Sequence, residues 1–268
     1  MDTELAVLVI HGMGSQFPDF AEDMIEELNN RVYDLGHDPE TMAWKPIYWA
    51  NILEGRQREY LRDAKIAGDL DYIGLRKFML SAFGDVSAYQ KAGSKENTTY
   101  KKIHKRVRRD IKSLYVTGLQ SKPKPLIILA HSLGGHIMSN YIWDMQHSKG
   151  AGNNSFERME KLSGIVTFGC NIPFFTFAYE KVEPIAFPPK KLPSGLKKKA
   201  KWLNFYDPDD VLGYPLKAIN PEYKKTVTKD LPINVGGVFS SWNPLAHGEY
   251  WTDNDFTKPV AKFIASFL

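Results

Sequence analysis

Leu126-Ile127-Ile128-Leu129-Ala130-His131-Ser132-Leu133-Gly134-Gly135 lies near the middle of the 268-residue chain and decides how the rest is read. Its opening apolar run has the length of a buried strand. The run stops at polar residues and restarts at once with a helical period: Leu133, Ile137, Met138, Tyr141, Ile142 and Met145. A serine therefore stands on the corner between a strand and a helix. Such a corner is tight, so the residues two before and two after the serine have to be small; they are Ala130 and Gly134. The corner lifts the hydroxyl clear of the sheet, and the first N–H groups of the helix point at the same place.

This corner resembles the nucleophile elbow of the α/β-hydrolase superfamily. The usual pattern has glycine where Ala130 stands, and some lipases of the superfamily carry alanine there. The resemblance implies a central, mostly parallel sheet flanked by helices. It also implies a triad in the chain order Ser, then Asp or Glu, then His.

Upstream of the elbow, Leu5 to Ile10 reads as a buried parallel strand ending in His11-Gly12-Met13-Gly14-Ser15. Phe20, Met24, Ile25, Leu28, Val32 and Leu35 form a helical stripe that Gly36 is placed to stop. Met42 to Trp49 alternates as a strand, and Pro46 assigns it to an edge or a bulge. Residues 50 to about 98 break this rhythm with apolar residues at helical spacing, among them Leu53, Tyr60, Leu75, Phe78, Met79 and Phe83. They read as several short amphipathic helices, an insertion that either caps the site or covers the sheet. A helix follows over about 99–119; its basic face, Lys101 to Lys112, reads as solvated.

Downstream, Lys149 to Ser155 reads as a loop and Gly164 to Gly169 as a strand, followed by the aromatic segment Asn171 to Phe177. Residues 184–201, with four prolines and six lysines, read as a flexible basic loop. Trp202 to Tyr206 is a further strand, stopped by Asp207-Pro208-Asp209-Asp210. Lys224 to Thr228 and Ile233 to Val238 are strand-like, and a last helix is expected from about Lys258 to Phe267. With no internal repeat and no clean linker, the economical reading is one α/β-hydrolase domain over 1–268.

A serine hydroxyl near neutral pH needs a base within hydrogen-bond reach, and the base needs a group to hold its tautomer. Of seven histidines, His247 alone follows Ser132 by more than about one helix length. It stands in the loop Trp242 to Trp251, ahead of the final helix, where the superfamily puts its base. The acid belongs after a later strand, and Asp207, Asp209 and Asp210 all qualify. Asp210-Val211-Leu212 looks like the acid loop of many lipases and esterases, so Asp210 is the first choice and Asp207 the second. These aspartates lack the glycine and terminal glutamate of a calcium loop. For the oxyanion, the backbone N–H of Leu133 is one donor. His11-Gly12-Met13-Gly14 resembles the oxyanion loop of lipases, which assigns the second N–H to Met13 and a bracing role to His11. His131 and His136 read as structural.

The composition is that of an ordinary globular chain, 43% apolar and 25% charged. One cysteine, Cys170, excludes an intramolecular disulfide and leaves no cysteine cluster for zinc, which favours a reducing compartment. No secretory signal and no run of about 18 apolar residues is visible, so a cytoplasmic, non-spanning chain is expected. The net charge of +4 permits weak contact with an anionic membrane surface, through Lys190, Lys191 and the lysines of 197–201. No nucleic acid is expected, since no binding motif accompanies the basic helix.

The expected chemistry is hydrolysis of a small-molecule or lipid ester by Ser132, His247 and Asp210 through an acyl-enzyme, with no metal or organic cofactor. The same triad also serves thioesterases, amidases and acyltransferases. The fold can also be kept as a non-catalytic binding module.

Overall fold

The computed structural model describes residues 2–14, 16–68, 70–89, 98–147, 152–236 and 246–268. Six strands form one sheet: β1 (Leu5–Ile10), β2 (Met42–Ile47), β3 (Leu126–His131), β4 (Leu162–Phe168), β5 (Lys201–Tyr206) and β6 (Lys229–Pro232). All pairs are parallel, in the order β2-β1-β3-β4-β5-β6. Parallel neighbours require crossovers, and helices supply them. This six-stranded parallel sheet flanked by helices is the α/β-hydrolase fold.

β1 is apolar throughout, and β3 is apolar as far as His131, because both of their faces are covered. Leu5, Val7 and Val9 of β1 face α1 (Glu22–Asp34) and α9 (Asn254–Ala265), packing with Met24, Leu28, Val32, Phe256, Val260 and Ile264. Ala6, Leu8 and Ile10 point the other way, into a core shared with α4 (Thr98–Ser113) and α5 (Leu133–His147). The period of two along the strand thus divides one apolar run between two cores. β2 is an edge strand, which is where Pro46 is tolerated.

Between β2 and β3 the chain forms α2 (Glu54–Gly68), α3 (Ile73–Ala88) and α4. Among its described residues the insertion, expected as several short helices, forms two long ones after a short turn at Ala50–Ile52. Their apolar residues are divided: Leu53 is buried, whereas Tyr60, Leu75, Met79 and Phe83 are exposed. The side chain of Phe78 and residues 90–97 lie outside the described residues. The helix expected over 99–119 is α-helical to Ser113 and then widens into a π-turn, Leu114–Gly118.

Four other expectations are corrected. Lys224 to Thr228 is not a strand: α8 (Pro221–Thr226) occupies it, with the Asn220 side chain accepting the Tyr223 N–H at 2.9 Å and Pro221 in the first turn. The strand expected at Ile233 to Val238 lies earlier, as β6; Ile233–Gly236 is irregular, and 237–238 fall outside the described residues. The basic segment 184–201 is not all loop, because α7 (Ser194–Lys199) forms behind Pro193. The last helix starts at Asn254, where Asp253 caps it by accepting the Asp255 N–H. Of Lys149 to Ser155, residues 149–151 lie outside the described set. Among the described residues no helix is long and apolar enough to cross a membrane.

Candidate active site

The crossovers from the neighbouring strands β1 and β3 leave in opposite directions, from β1 to β2 on one side and from β3 to β4 on the other. At such a reversal the loops after the two strands part and leave a crevice at the carboxyl ends. The loops at this crevice are His11–Gly14 and the Ser132 corner.

Ser132 has φ 51°, in the left-handed region that a non-glycine residue adopts only when its surroundings impose it. Its N–H donates to the Phe168 carbonyl (3.0 Å), which ties the corner to β4. α5 starts at the next residue, Leu133, so the first N–H groups of that helix have no helical partner of their own. A side chain at Gly134 would stand 2.7 Å from the His11 carbonyl oxygen, so the corner closes on β1 only with glycine there. Gly12 is pressed as closely on the other side: a Cβ there would meet Ser132 Cβ at 2.5 Å.

His247 lies in the short helical turn Ala246–Trp251; residues 242–245 of its loop are outside the described set. Its Nε2 is 2.7 Å from Ser132 Oγ. Its Nδ1 is 2.9 Å from Asp210 Oδ2 and 3.1 Å from Oδ1. Asp210 follows β5 and is buried. Its Oδ1 accepts the Leu212 N–H (2.9 Å), and its Oδ2 accepts the Tyr250 hydroxyl (2.9 Å). Burial pushes the Asp210 carboxyl up, but the donors from His247, Leu212 and Tyr250 outweigh it and hold the carboxyl below its ordinary range. Burial and the Asp210 carboxylate raise the Tyr250 hydroxyl, which therefore stays a donor.

Asp207 is also buried, but its oxygens are taken by backbone: Oδ1 by the Asp209 N–H and Oδ2 by the Val235 N–H, each at 2.7 Å. It braces the loop that carries Asp210, and Tyr250 joins the two because its hydroxyl accepts the Asp207 N–H (2.9 Å).

Two further histidines, His11 and His131, flank the crevice as neutral spacers, and a third, His136, lies away from it on α5. His11 Nδ1 bonds the Gly12 carbonyl (2.8 Å) and its Nε2 accepts the Trp49 N–H (3.0 Å), which fixes the tautomer and braces the loop after β1. His131 Nε2 donates to the His247 carbonyl (2.8 Å), and its ring lies 4.8 Å from the His247 ring. His136 stacks on Phe175 at 3.8 Å. Burial lowers the pKa of all three to about 3.

The structure thus brings Ser132, His247 and Asp210 into one hydrogen-bonded chain and sets the loop containing Met13 against Ser132. It leaves Asp207, Asp209 and His136 out of that chain. Tyr250 and the backbone-holding role of His131 were not read from the sequence. Tyr250 sits three residues past His247, and that short spacing was the available signal. A cavity of about 220 Å³ between α5 and α6 (Ile172–Thr176) is lined by His136, Asn140, Trp143 and Phe175, and not by Ser132, His247 or Asp210. Val211, next to Asp210, is exposed, as is Phe174, whose ring meets edge-on at 4.9 Å the ring of Tyr214, which donates its hydroxyl to the Val211 carbonyl (2.7 Å).

Fold and constellation define the class, an α/β-hydrolase-fold protein with a Ser-His-Asp chain at the carboxyl ends of its strands. No protein-family model and no curated protein matches the sequence. Among solved structures the chain is similar to a protein of Xanthomonas campestris pv. campestris provisionally named a hydrolase of the alpha/beta superfamily. The TM-score is 0.40 and the identity 11%, over 96% of this chain and 98% of that one.

Proposed function

We propose that the protein is a serine hydrolase that cleaves a carboxylic ester through an acyl-enzyme. The observation that carries this reading is the unbroken chain Ser132 Oγ–His247 Nε2–Asp210, with contacts of 2.7 and 2.9 Å at its two links. His247 takes the hydroxyl proton as Ser132 Oγ attacks the acyl carbon, and Asp210 holds the imidazole in the tautomer that presents a bare Nε2 to the serine. The backbone N–H groups of Met13 and Leu133 receive the tetrahedral oxyanion. His247 returns the proton to the leaving alkoxide. A water, deprotonated by the same nitrogen, then attacks the acyl-enzyme and releases the acid and Ser132. The sequence needs no metal or organic cofactor.

Exposed Phe174, Phe177 and Val211 favour an apolar acyl or alcohol group. Exposed Lys190, Lys191, Lys197, Lys198, Lys199 and Lys201 add weak contact with anionic lipid surfaces. The test is labelling with a fluorophosphonate, which reacts only with an activated serine. Stoichiometric labelling that vanishes in Ser132→Ala supports the reading, and a panel of esters, thioesters and amides then ranks the bond cleaved. A folded chain that takes no label overturns it in favour of a binding module. Hydrolysis of anionic vesicles unchanged by reversing those lysines removes the membrane contact.

A further inference from the structure

The two long helices of the insertion meet at Asp85, which reaches the loop after β1. Asp85, near the end of α3, is 2% exposed, and its Oδ2 accepts the Gly14 N–H at 2.9 Å across 71 residues of sequence. Its Oδ1 accepts Gln57 Nε2 of α2 at 2.8 Å. Gly14 adjoins Met13 and stands at φ 92°, a conformation held against many alternatives open to glycine. Both partners of Asp85 are neutral donors. Burial raises its pKa to about 6, Glu54 on α2 pushes the same way, and the Gly14 and Gln57 donors pull it down. Ion pairing therefore does not account for a carboxylate here. A charged acceptor gives the shorter, stronger bond to a backbone N–H, which is what pinning a glycine loop requires.

We propose that Asp85 is a positioning residue of the oxyanion loop: its carboxylate grips the Gly14 N–H and so sets the neighbouring Met13 N–H against the acyl oxygen on Ser132. This inference rests on the serine-hydrolase reading. It makes the insertion a part of the catalytic frame, with Gln57 locking the carboxylate from the second helix. Asp85 itself touches no reacting atom.

The test compares wild type with Asp85→Ala and Asp85→Asn on p-nitrophenyl butyrate. Inhibition by an alkyl trifluoromethyl ketone, whose serine adduct carries the oxyanion, is measured alongside. Asp85→Ala lowers kcat about tenfold to a hundredfold with KM within about twofold, because a displaced donor is felt in the transition state. Its ketone inhibition constant rises by the same factor, a correlation that a merely structural residue does not produce. Asp85→Asn keeps an acceptor for Gly14 without the charge and recovers only part of the loss. Should Asp85→Ala not fold, Gln57→Ala carries the test, with a smaller loss and the same correlation. An active wild type whose Asp85→Ala or Gln57→Ala variant keeps full kcat and ketone affinity overturns this inference alone. A wild type inert to ester and fluorophosphonate overturns it together with the reading beneath it.

Discussion

Asp210→Asn changes one atom of a site whose four contacts can be followed individually. Every partner of the carboxylate is a donor: Leu212 N–H on Oδ1, the Tyr250 hydroxyl on Oδ2, and His247 Nδ1 on both. An amide offers one acceptor oxygen and one NH2. The Leu212 N–H is fixed by the backbone, so the oxygen stays with it. The NH2 then turns to Tyr250 and His247. The tyrosine hydroxyl can rotate and accept; His247 can accept only by moving its proton to Nε2. That places a hydrogen, not a lone pair, against Ser132 Oγ. Geometry survives and the base is lost, for which a fall of about 10⁴-fold in kcat is expected, on the order of 5 kcal/mol. The assay is the rate of fluorophosphonate labelling together with ester turnover, with a melting curve to show that the fold is kept. A folded variant that retains a tenth of the wild-type rate refutes the tautomer argument.

Asp207→Asn should do the reverse. One of its two backbone partners loses an acceptor, so denaturant melts are expected to show a loss of about 1–3 kcal/mol while turnover stays within roughly fivefold; a loss as deep as that of Asp210→Asn would transfer the acid's role to Asp207. Gly12→Ala puts a methyl 2.5 Å from Ser132 Cβ and 3.0 Å from Oγ. Labelling should slow by about a hundredfold or more, with a stability loss of about 1–3 kcal/mol, and a crystal structure of the variant would show which of the two loops yields. The three buried histidines predict steep acid sensitivity. Their folded pKa of about 3 lies below the ordinary 6.5, so only the unfolded chain takes up their protons. Stability is full above pH 6.5 and falls toward pH 3, by about 4 kcal/mol per pH unit for the three together. Asp85, raised to about 6, acts in the opposite sense between pH 3.8 and 6 and softens that slope by about a third. Urea melts at pH 7, 6 and 5 measure it.

The parts legible in the sequence were those written in local pattern. β1 and β3 read as buried strands because five or six consecutive apolar residues serve two cores at once. The Ser132 corner was legible because its small neighbours and the helical period after it lie within one turn. His247 and Asp210 came from chain order joined to a family resemblance, and the structure brings both within hydrogen-bond range of the expected partners. α8 was misread although its signals were present: Asn220-Pro221-Glu222 is a helix start, and the apparent alternation after it misled. β6 gave no apolar signal, being a polar edge strand. Its Asp230 accepts from Asn204 and from the Leu216 and Lys217 N–H groups, contacts that only the assembled sheet creates. Asp85 was illegible for the same reason, since nothing within ten residues of it refers to Gly14.

The all-parallel register bears on how the protein reaches its native state. Each strand pairs with a partner reached only across a helical crossover, so almost no sheet contact is local in sequence, and such topologies form slowly and late. Met13, Ser132, Asp210 and His247 sit after β1, β3 and β5 and ahead of α9, so the hydrogen-bonded chain Ser132–His247–Asp210 forms only once the sheet from β1 to β5 has zipped. Covalent capture of Ser132 by a fluorophosphonate during refolding would then time the completion of the topology itself, lagging the recovery of helical signal.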